Sequence, residues 1–292
     1  MATPLIASNI HNIDGLVAVV TGGGTGLGHI ITKTLIQNGA SKVYITGRRL
    51  EKLEEAAKEA PGKIIPIQAD VTDHDDTQAA VDKITEETGY IDLLVNNAGM
   101  TTFDASGQRA KPTAESSISE IRDYYFNYRP ADLWKETLNT NIGAVFTLTI
   151  AFLELLDAGN KRRDSDKPKS QVIAVGSVGG LTRFTDSFIY NASKAAVHHL
   201  MKNLGAFLVP HDIRTNIIAP GWFPSDMTTA VSKAWESTGG VMPRTLVPQQ
   251  RMGYPEELAG TIMYLVSKAG GYCNGQICVI DGGFLHNHAG TY

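Results

Sequence analysis

Seven short runs rich in Val, Ile and Leu recur along the chain, at residues 16–21, 42–46, 63–69, 91–96, 171–176, 213–219 and 276–280. Amphipathic stretches separate most of them, at 27–37, 50–59, 77–87, 134–156, 191–208 and 255–268. The runs are continuously apolar instead of alternating, the pattern of strands buried on both faces. Helical stretches between successive strands make the connections βαβ crossovers. The spacing therefore predicts an α/β protein with a doubly wound parallel sheet of about seven strands and helices on both faces. No linker divides the 292 residues, so one domain is expected.

Glycine is the one unusual count, 29 residues in 292, and its placement carries chemistry. The first strand runs into Thr21-Gly22-Gly23-Gly24-Thr25-Gly26-Leu27-Gly28, and a helical pattern follows at once. Glycines let the backbone turn tightly and approach a pyrophosphate, whose charge meets the free N–H groups and positive dipole end of the helix. A tight turn without a ligand is the competing reading, and the strand–loop–helix context favours the nucleotide. An NAD-selecting acid would stand about 20 residues past the loop. That position reads Thr46-Gly47-Arg48-Arg49, with no carboxylate. A guanidinium there pairs with a 2′-phosphate, so NADP(H) is the expected cofactor, with Arg48 the discriminator. The alternative is that both arginines are solvated residues opening a helix.

A Tyr-x3-Lys pair puts a phenol and an ammonium one helical turn apart on one face. It occurs twice, as Tyr190/Lys194 and Tyr264/Lys268. Tyr190 opens the long helix after the fifth strand, and Ser177 ends that strand 13 residues earlier; strand ends of this kind face the crevice where open α/β sheets bind ligands. Tyr264 continues an ordinary amphipathic stretch and is read as structural.

The glycine spacing, Gly22-x3-Gly26-x-Gly28, together with Ser177 and Tyr190-x3-Lys194, resembles the short-chain dehydrogenase/reductase family, TGxxxGxG subgroup. Further family-like signatures follow in order: Asp70-Val71, Asn96-Asn97-Ala98-Gly99, Trp134 with Asn139-Thr140-Asn141-Ile142-Gly143, Asn216, Pro220-Gly221, Arg251 to Glu257 and Asp281-Gly282-Gly283. The resemblance spans about residues 14–283 and implies a Rossmann-type fold. It makes Tyr190 the general acid/base, Lys194 its pKa modulator and ribose ligand, Ser177 the carbonyl-oxygen partner and Asn141, in preference to nearby Asn139, the holder of a proton-relay water. It implies cofactor contacts at Gly22, Gly26, Leu27, Gly28, Arg48, Asp70, Val71, Asn97, Ala98, Gly99, Tyr190, Lys194, Pro220, Gly221, Phe223 and Ser225. A free phenol titrates near 10, a neighbouring cation lowers it by roughly 1 to 3 units, and Lys194, helped by the positive nicotinamide ring of the oxidised cofactor, is expected to bring Tyr190 into working range.

The expected activity is NADP(H)-dependent reduction of a ketone or aldehyde, or oxidation of the alcohol. Alternatives are a 3-oxoacyl thioester reductase, a non-redox epimerase or dehydratase, and a catalytically silent nucleotide-binding module. Met100, Val178, Leu181, Phe184, Trp222, Phe223, Met227 and Trp235 would line an apolar cavity for a moderately large, cyclic or polyketide-like substrate. The basic segment at 157–170 offers at most a weak patch for a phosphopantetheine arm. Residues 100–131 and 157–170 are read as insertions, 222–251 as a lid and 284–292 as a tail, disordered or docked, that could also reach a neighbouring subunit.

Lys and Arg total 26 against 30 Asp and Glu, giving a formal charge of -4 spread along the chain. This flags neither nucleic acid nor an anionic membrane as partner. Two cysteines, Cys273 and Cys278, make neither a disulfide framework nor a metal site, and none is expected. Residues 1–13 lack the features of a signal peptide, which makes the cytoplasm the default compartment. The resemblance adds a homodimer or homotetramer, assembled through 134–156 and 191–208.

Overall fold

The computed structural model describes residues 4–101, 111–128, 132–163, 167–184 and 187–291. All seven expected strands are present: β1 (Val17–Thr21), β2 (Lys42–Gly47), β3 (Ile64–Gln68), β4 (Leu93–Asn96), β5 (Gln171–Val175), β6 (Arg214–Pro220) and β7 (Ile277–Ile280). They form one parallel sheet in the order β3-β2-β1-β4-β5-β6-β7. In β1, Ala18 and Val20 pack into one core and Val17 and Val19 into the other. Adjacent residues of one strand thus serve opposite faces, which is why the run has no polar alternation. Pro66 sits in β3, an edge strand whose outer N–H row has no partner to lose.

The helices among the described residues are α1 (Ala7–Ile10), α2 (Gly26–Gln37), α3 (Leu50–Ala57), α4 (His74–Glu87), α5 (Ile118–Arg122), α6 (Asp132–Leu138), α7 (Ala144–Ala151), α8 (Leu153–Arg162), α9 (Phe188–Leu208), α10 (Thr229–Ala234), α11 (Pro255–Val266) and α12 (Phe284–Asn287). The stretch read as one helix over 134–156 is broken twice. A π-helical turn, Asn139–Gly143, separates α6 from α7, with the Ala144 amide reaching back to the Asn139 carbonyl. At Phe152, whose side chain is buried, the chain leaves helical geometry and bends by 48° into α8. The expected loop at 157–170 therefore begins as helix, ending at Arg162. Of the 100–131 excursion, the described part contains α5 and a π-helical turn, Asp123–Tyr128; the remainder lies outside the described residues. Among the described residues, no single helix is long and apolar enough to cross a membrane.

Candidate active site

Strand order reverses between β1 and β4, so the loops leaving their carboxyl ends splay apart and leave a crevice. The ends of β1, β2, β4, β5 and β6 open into one cavity of about 930 Å³. At one end lies the glycine loop. Gly22 and Gly26 have positive φ (65° and 54°), conformations that L side chains resist. A Cβ at position 22 would lie 2.9 Å from Asn97 Nδ2, and one at position 28 would lie 2.2 Å from the Gly22 carbonyl oxygen. Gly28 is thus buried behind the loop, where it lets α2 close onto it, and it does not line the cavity. Thr25 precedes α2 without capping it; its hydroxyl instead accepts a hydrogen bond from Arg49 at 3.2 Å. The first-turn N–H groups of a 12-residue helix are left facing a cradle that side chains would fill, which fits a pyrophosphate.

Asn97 closes this end from behind. Its backbone N–H and that of Ala98 both donate to the Thr21 hydroxyl (3.0 and 2.9 Å), and its side chain donates to the Thr21 carbonyl at 2.8 Å. Arg48 projects from the end of β2 with its side chain 80% exposed, 4.0 Å from Asp70. The Asp70 carboxyl is held below its ordinary range, first by the Thr72 backbone N–H and then by the Thr72 hydroxyl and Arg48. Arg49, absent from the expected site, bridges Thr25 on the glycine loop and Asp226 on the lid. Leu27, Val71, Gly99, Pro220, Gly221 and Ser225 line the cavity as well. The Ser225 hydroxyl lies 3.1 Å from that of Thr228. Phe223 touches the cavity, yet its ring is packed in the core, where a Cβ on Gly253 would come within 2.4 Å of it.

Past the middle of the cavity, β5 delivers Ser177 and α9 delivers Tyr190 and Lys194. The Ser177 side chain faces the Tyr190 phenol closely enough to favour its ionised form, and Ser177 Oγ accepts the Gly179 N–H at 3.0 Å. Lys194 Nζ donates to the Val175 carbonyl at 2.8 Å and stands 5.7 Å from the centre of the Tyr190 ring. Burial lowers the Lys194 ammonium to about 8. In the chain without cofactor, burial raises the Tyr190 phenol and the Ser177 side chain offsets this only in part, so the expected lowering is left to Lys194 together with the positive nicotinamide ring of a bound oxidised cofactor. Both groups sit in a low-dielectric pocket that disfavours charge on either.

Asn141 stands in the π-helical turn, buried and outside the cavity lining, whereas Asn139 lines it. The Asn141 side chain pairs with both backbone groups of Met100 (2.9 and 3.0 Å) and donates to Ser193 Oγ at 2.9 Å. A Cβ on Gly99 would lie 3.2 Å from Asn141 Oδ1 and 3.7 Å from Lys194 Nζ. The missing side chain therefore keeps open a space between these two groups.

One residue behind the site carries no motif. His198 lies one turn beyond Lys194 on α9, buried, with Nε2 accepting the Ser177 backbone N–H at 3.4 Å. Burial, with Lys194 and Lys202 nearby, lowers its titration to about 4, so it is a neutral acceptor at physiological pH. Gly176 makes room for it: a Cβ there would be 2.2 Å from His198 Nε2. Replacing His198 with Leu leaves the Ser177 N–H without an acceptor, a loss of about 1 to 3 kcal/mol. The expected result is a lower melting temperature and lower turnover with unchanged cofactor affinity, checked by thermal denaturation and steady-state kinetics.

At the far end, Met100, Val178, Phe184, Trp222 and Met227 line the cavity as expected, but Leu181 and Trp235 do not. Trp235 packs instead within the lid, against the cluster of Val178, Met242, Val247 and Phe284. Phe284, from the tail, joins the lining. The tail folds back on its own chain: Gly290 bridges Thr182, and the Arg183 N–H donates to the Ala289 carbonyl at 2.8 Å. Tyr264 lies apart, 40% exposed with its hydroxyl 3.2 Å from Cys273 Sγ. The basic residues Arg162, Arg163 and Lys167 border a different cavity beside Gly15, Leu16 and Asp92, at the amino ends of the strands. They are at the wrong end of the sheet to meet a phosphopantetheine arm entering the crevice.

These features define a short-chain dehydrogenase/reductase. Residues 16–236 match the short chain dehydrogenase family model. The chain is 47% identical to the short-chain dehydrogenase/reductase VdtF of Byssochlamys spectabilis over 99% of its length and 98% of the relative's. It is 42% identical to PhomF of Diaporthe leptostromiformis, also called a short-chain dehydrogenase/reductase, over 99% and 97%. The solved RhlG/NADP active-site complex of Pseudomonas aeruginosa superposes with a TM-score of 0.78 at 31% identity, covering 94% of this chain and 98% of that one. The chain belongs to the short-chain dehydrogenase/reductase family, oxidoreductases of alcohol and carbonyl groups.

Proposed function

We propose that the chain is an NADP(H)-dependent reductase of ketones or aldehydes, or the corresponding alcohol dehydrogenase, acting on a moderately large, apolar, ring-containing substrate. The observation that carries this reading is the meeting of Ser177, Tyr190 and Lys194 on the wall of a cavity that joins the glycine loop and Arg48 to an aromatic end. The RhlG complex, which is similar in fold and sequence, is described with NADP. Gly22, Gly26 and Leu27 would hold the pyrophosphate, Arg48 a 2′-phosphate, Asp70 and Val71 the adenine, and Asn97 to Gly99 and Pro220 to Ser225 the remainder.

Bound NADPH supplies the hydride for the carbonyl carbon. Tyr190 donates its proton to the carbonyl oxygen as negative charge builds there, and the Ser177 hydroxyl hydrogen-bonds the same oxygen. Lys194, oriented by the Val175 carbonyl, steadies the phenolate left behind. The phenolate takes up a new proton from solvent through the space beside Gly99, between Lys194 and Asn141. NADPH and NADH oxidation followed with a panel of carbonyl compounds tests cofactor, reaction and substrate class together. Turnover without net NADPH consumption would favour an epimerase or dehydratase instead, and binding without turnover a silent nucleotide-binding module.

Lys194 links the mechanism to stability. Its folded titration near 8 lies below the ordinary 10.5. Below pH 8 both folded and unfolded chains carry the proton, and the cost of burying the charge is present in full. Between about 8 and 10.5 the unfolded chain holds more protons, so stability of the cofactor-free protein rises with pH. Lys194→Met should therefore abolish turnover while stabilising the cofactor-free protein at pH 7 by about 1 to 3 kcal/mol. Denaturant unfolding at pH 7 and pH 10 checks both the sign and the window.

Assembly as a homodimer or homotetramer fits the exposed Trp134, Phe146, Ile150 and Phe207 on α6, α7 and α9.

A further inference from the structure

We propose that the C-terminal segment, residues 284–291, is a strap that docks on its own chain, holds the loop after Ser177 against the catalytic helix, and makes the cavity selective for flat ring-containing carbonyl compounds. The inference rests on the carbonyl-reductase reading and adds the element that sets its substrate range.

The docking is made of main-chain bonds that do not depend on side-chain identity. The Arg183 N–H donates to the Ala289 carbonyl at 2.8 Å, and the Thr291 N–H donates to the Leu181 carbonyl at 2.9 Å. Thr182 Oγ1 adds a bond to the Ala289 carbonyl at 3.2 Å and accepts the Phe184 N–H at 3.1 Å. The next link reaches the chemistry: Asn191, beside Tyr190 on α9, donates its side-chain amide to the Phe184 carbonyl at 2.8 Å. On its other side the segment holds the lid, with Asn287 donating to the Arg244 carbonyl at 2.7 Å and His288 Nε2 lying 3.2 Å from the Leu246 carbonyl. Tail, catalytic loop and lid are therefore one connected unit.

The rings give this unit its selectivity. Phe284 lines the cavity beside Phe184 and Trp222. It meets Phe184 edge-on at 5.7 Å and 85°, and Trp222 at 6.4 Å and 80°. The His288 ring packs 4.1 Å from that of Phe284 and 4.9 Å from that of Phe184. Rings held edge-to-face have restricted rotation and present fixed apolar surfaces, which suit a planar ring system better than a flexible chain. Without residues 288–291 this wall loses Phe284's support from His288, and the loop loses its paired edge.

The test compares the full chain with one ending after Asn287 and with His288→Ala, using 1-tetralone as the ring ketone and 2-butanone as the small one. Calorimetric binding of 1-tetralone to the NADP+ complex needs no turnover. Truncation is expected to weaken it about tenfold or more, well beyond any loss in 2-butanone turnover, to leave NADPH affinity unchanged, and to speed hydrogen exchange at the Arg183 amide. His288→Ala keeps the main-chain pairing and removes only the ring, so it should weaken 1-tetralone binding without changing exchange at Arg183. Should the truncated chain fail to fold, this variant decides alone. Unchanged 1-tetralone binding in the variants, or an equal loss for both ketones, overturns the strap as a specificity element. No binding of 1-tetralone to the full chain overturns the ring-ketone preference. If the full chain binds 1-tetralone yet reduces no carbonyl compound, the reductase reading fails, while the binding ratio still judges the strap.

Discussion

Replacing Tyr190 with Phe is expected to lower turnover by roughly 10²- to 10⁴-fold, the range general acid catalysis supplies, and to leave NADPH affinity unchanged. The substitution removes one oxygen. The ring remains, with its place 5.7 Å from Lys194, so the cavity keeps its shape and the glycine loop its distance. What disappears is the proton donor, together with its polar contact toward Ser177. Ser177→Ala should cost less, because it removes a hydrogen bond to the reacting oxygen but leaves the acid in place. Near-normal turnover of Tyr190→Phe would sink the mechanism. The raised phenol adds a pH signature with opposite signs in the two directions. Reduction needs the protonated phenol, so burial keeps its rate level across neutral pH and lets it fall only in alkali. Oxidation needs the phenolate, and its rate should climb with pH through the same range. Stopped-flow measurement in both directions distinguishes this from a tyrosine depressed by its lysine, for which both profiles would turn near neutrality.

The parts of this site that were legible in the sequence are those whose chemistry depends on local spacing. Gly22, Gly26 and Gly28 sit in one turn, Tyr190 and Lys194 on one helical face, and the five inner strands, β1, β2, β4, β5 and β6, advertise themselves because burial on both faces favours apolar runs, whereas the edge strands β3 and β7 are only partly buried. What could not be read depends on contacts between distant segments. The π-helical turn at Asn139–Gly143 has no composition of its own, and it turns Asn141 inward while leaving Asn139 on the cavity wall. His198 reads as one more residue of an amphipathic helix until Gly176 is found to have left it space. The tail reads as surplus until Ala289 and Thr291 are seen paired with the loop after Ser177. The rise of the Tyr190 phenol follows the same logic, since a cation one turn away in sequence says nothing about Lys194 being buried and Tyr190 being set into the cavity wall.

Arg48→Asp should weaken NADPH binding by about 10² or more while leaving NADH binding nearly as it was, since a charged hydrogen bond contributes about 1.5 to 3 kcal/mol and the substitution sets a carboxylate where a phosphate would lie. The geometry divides the labour between the two arginines. Arg48 is 80% exposed, 4.0 Å from Asp70, and can swing onto a 2′-phosphate with little to give up. Arg49 is already engaged by Thr25 at 3.2 Å and Asp226 at 3.3 Å, tying the glycine loop to the lid. Arg49→Gln should accordingly weaken NADPH and NADH alike, because both need the loop, and only Arg48 should change their ratio. The Arg48 contribution is that of a solvent-exposed charge pair, so added salt should narrow the NADPH preference of the wild-type protein. Fluorescence titration of both cofactors at two ionic strengths reads all of these effects. A ratio altered by Arg49→Gln and untouched by Arg48→Asp would move the phosphate to the neighbouring guanidinium, and with it the reason for the lid's contact at Asp226.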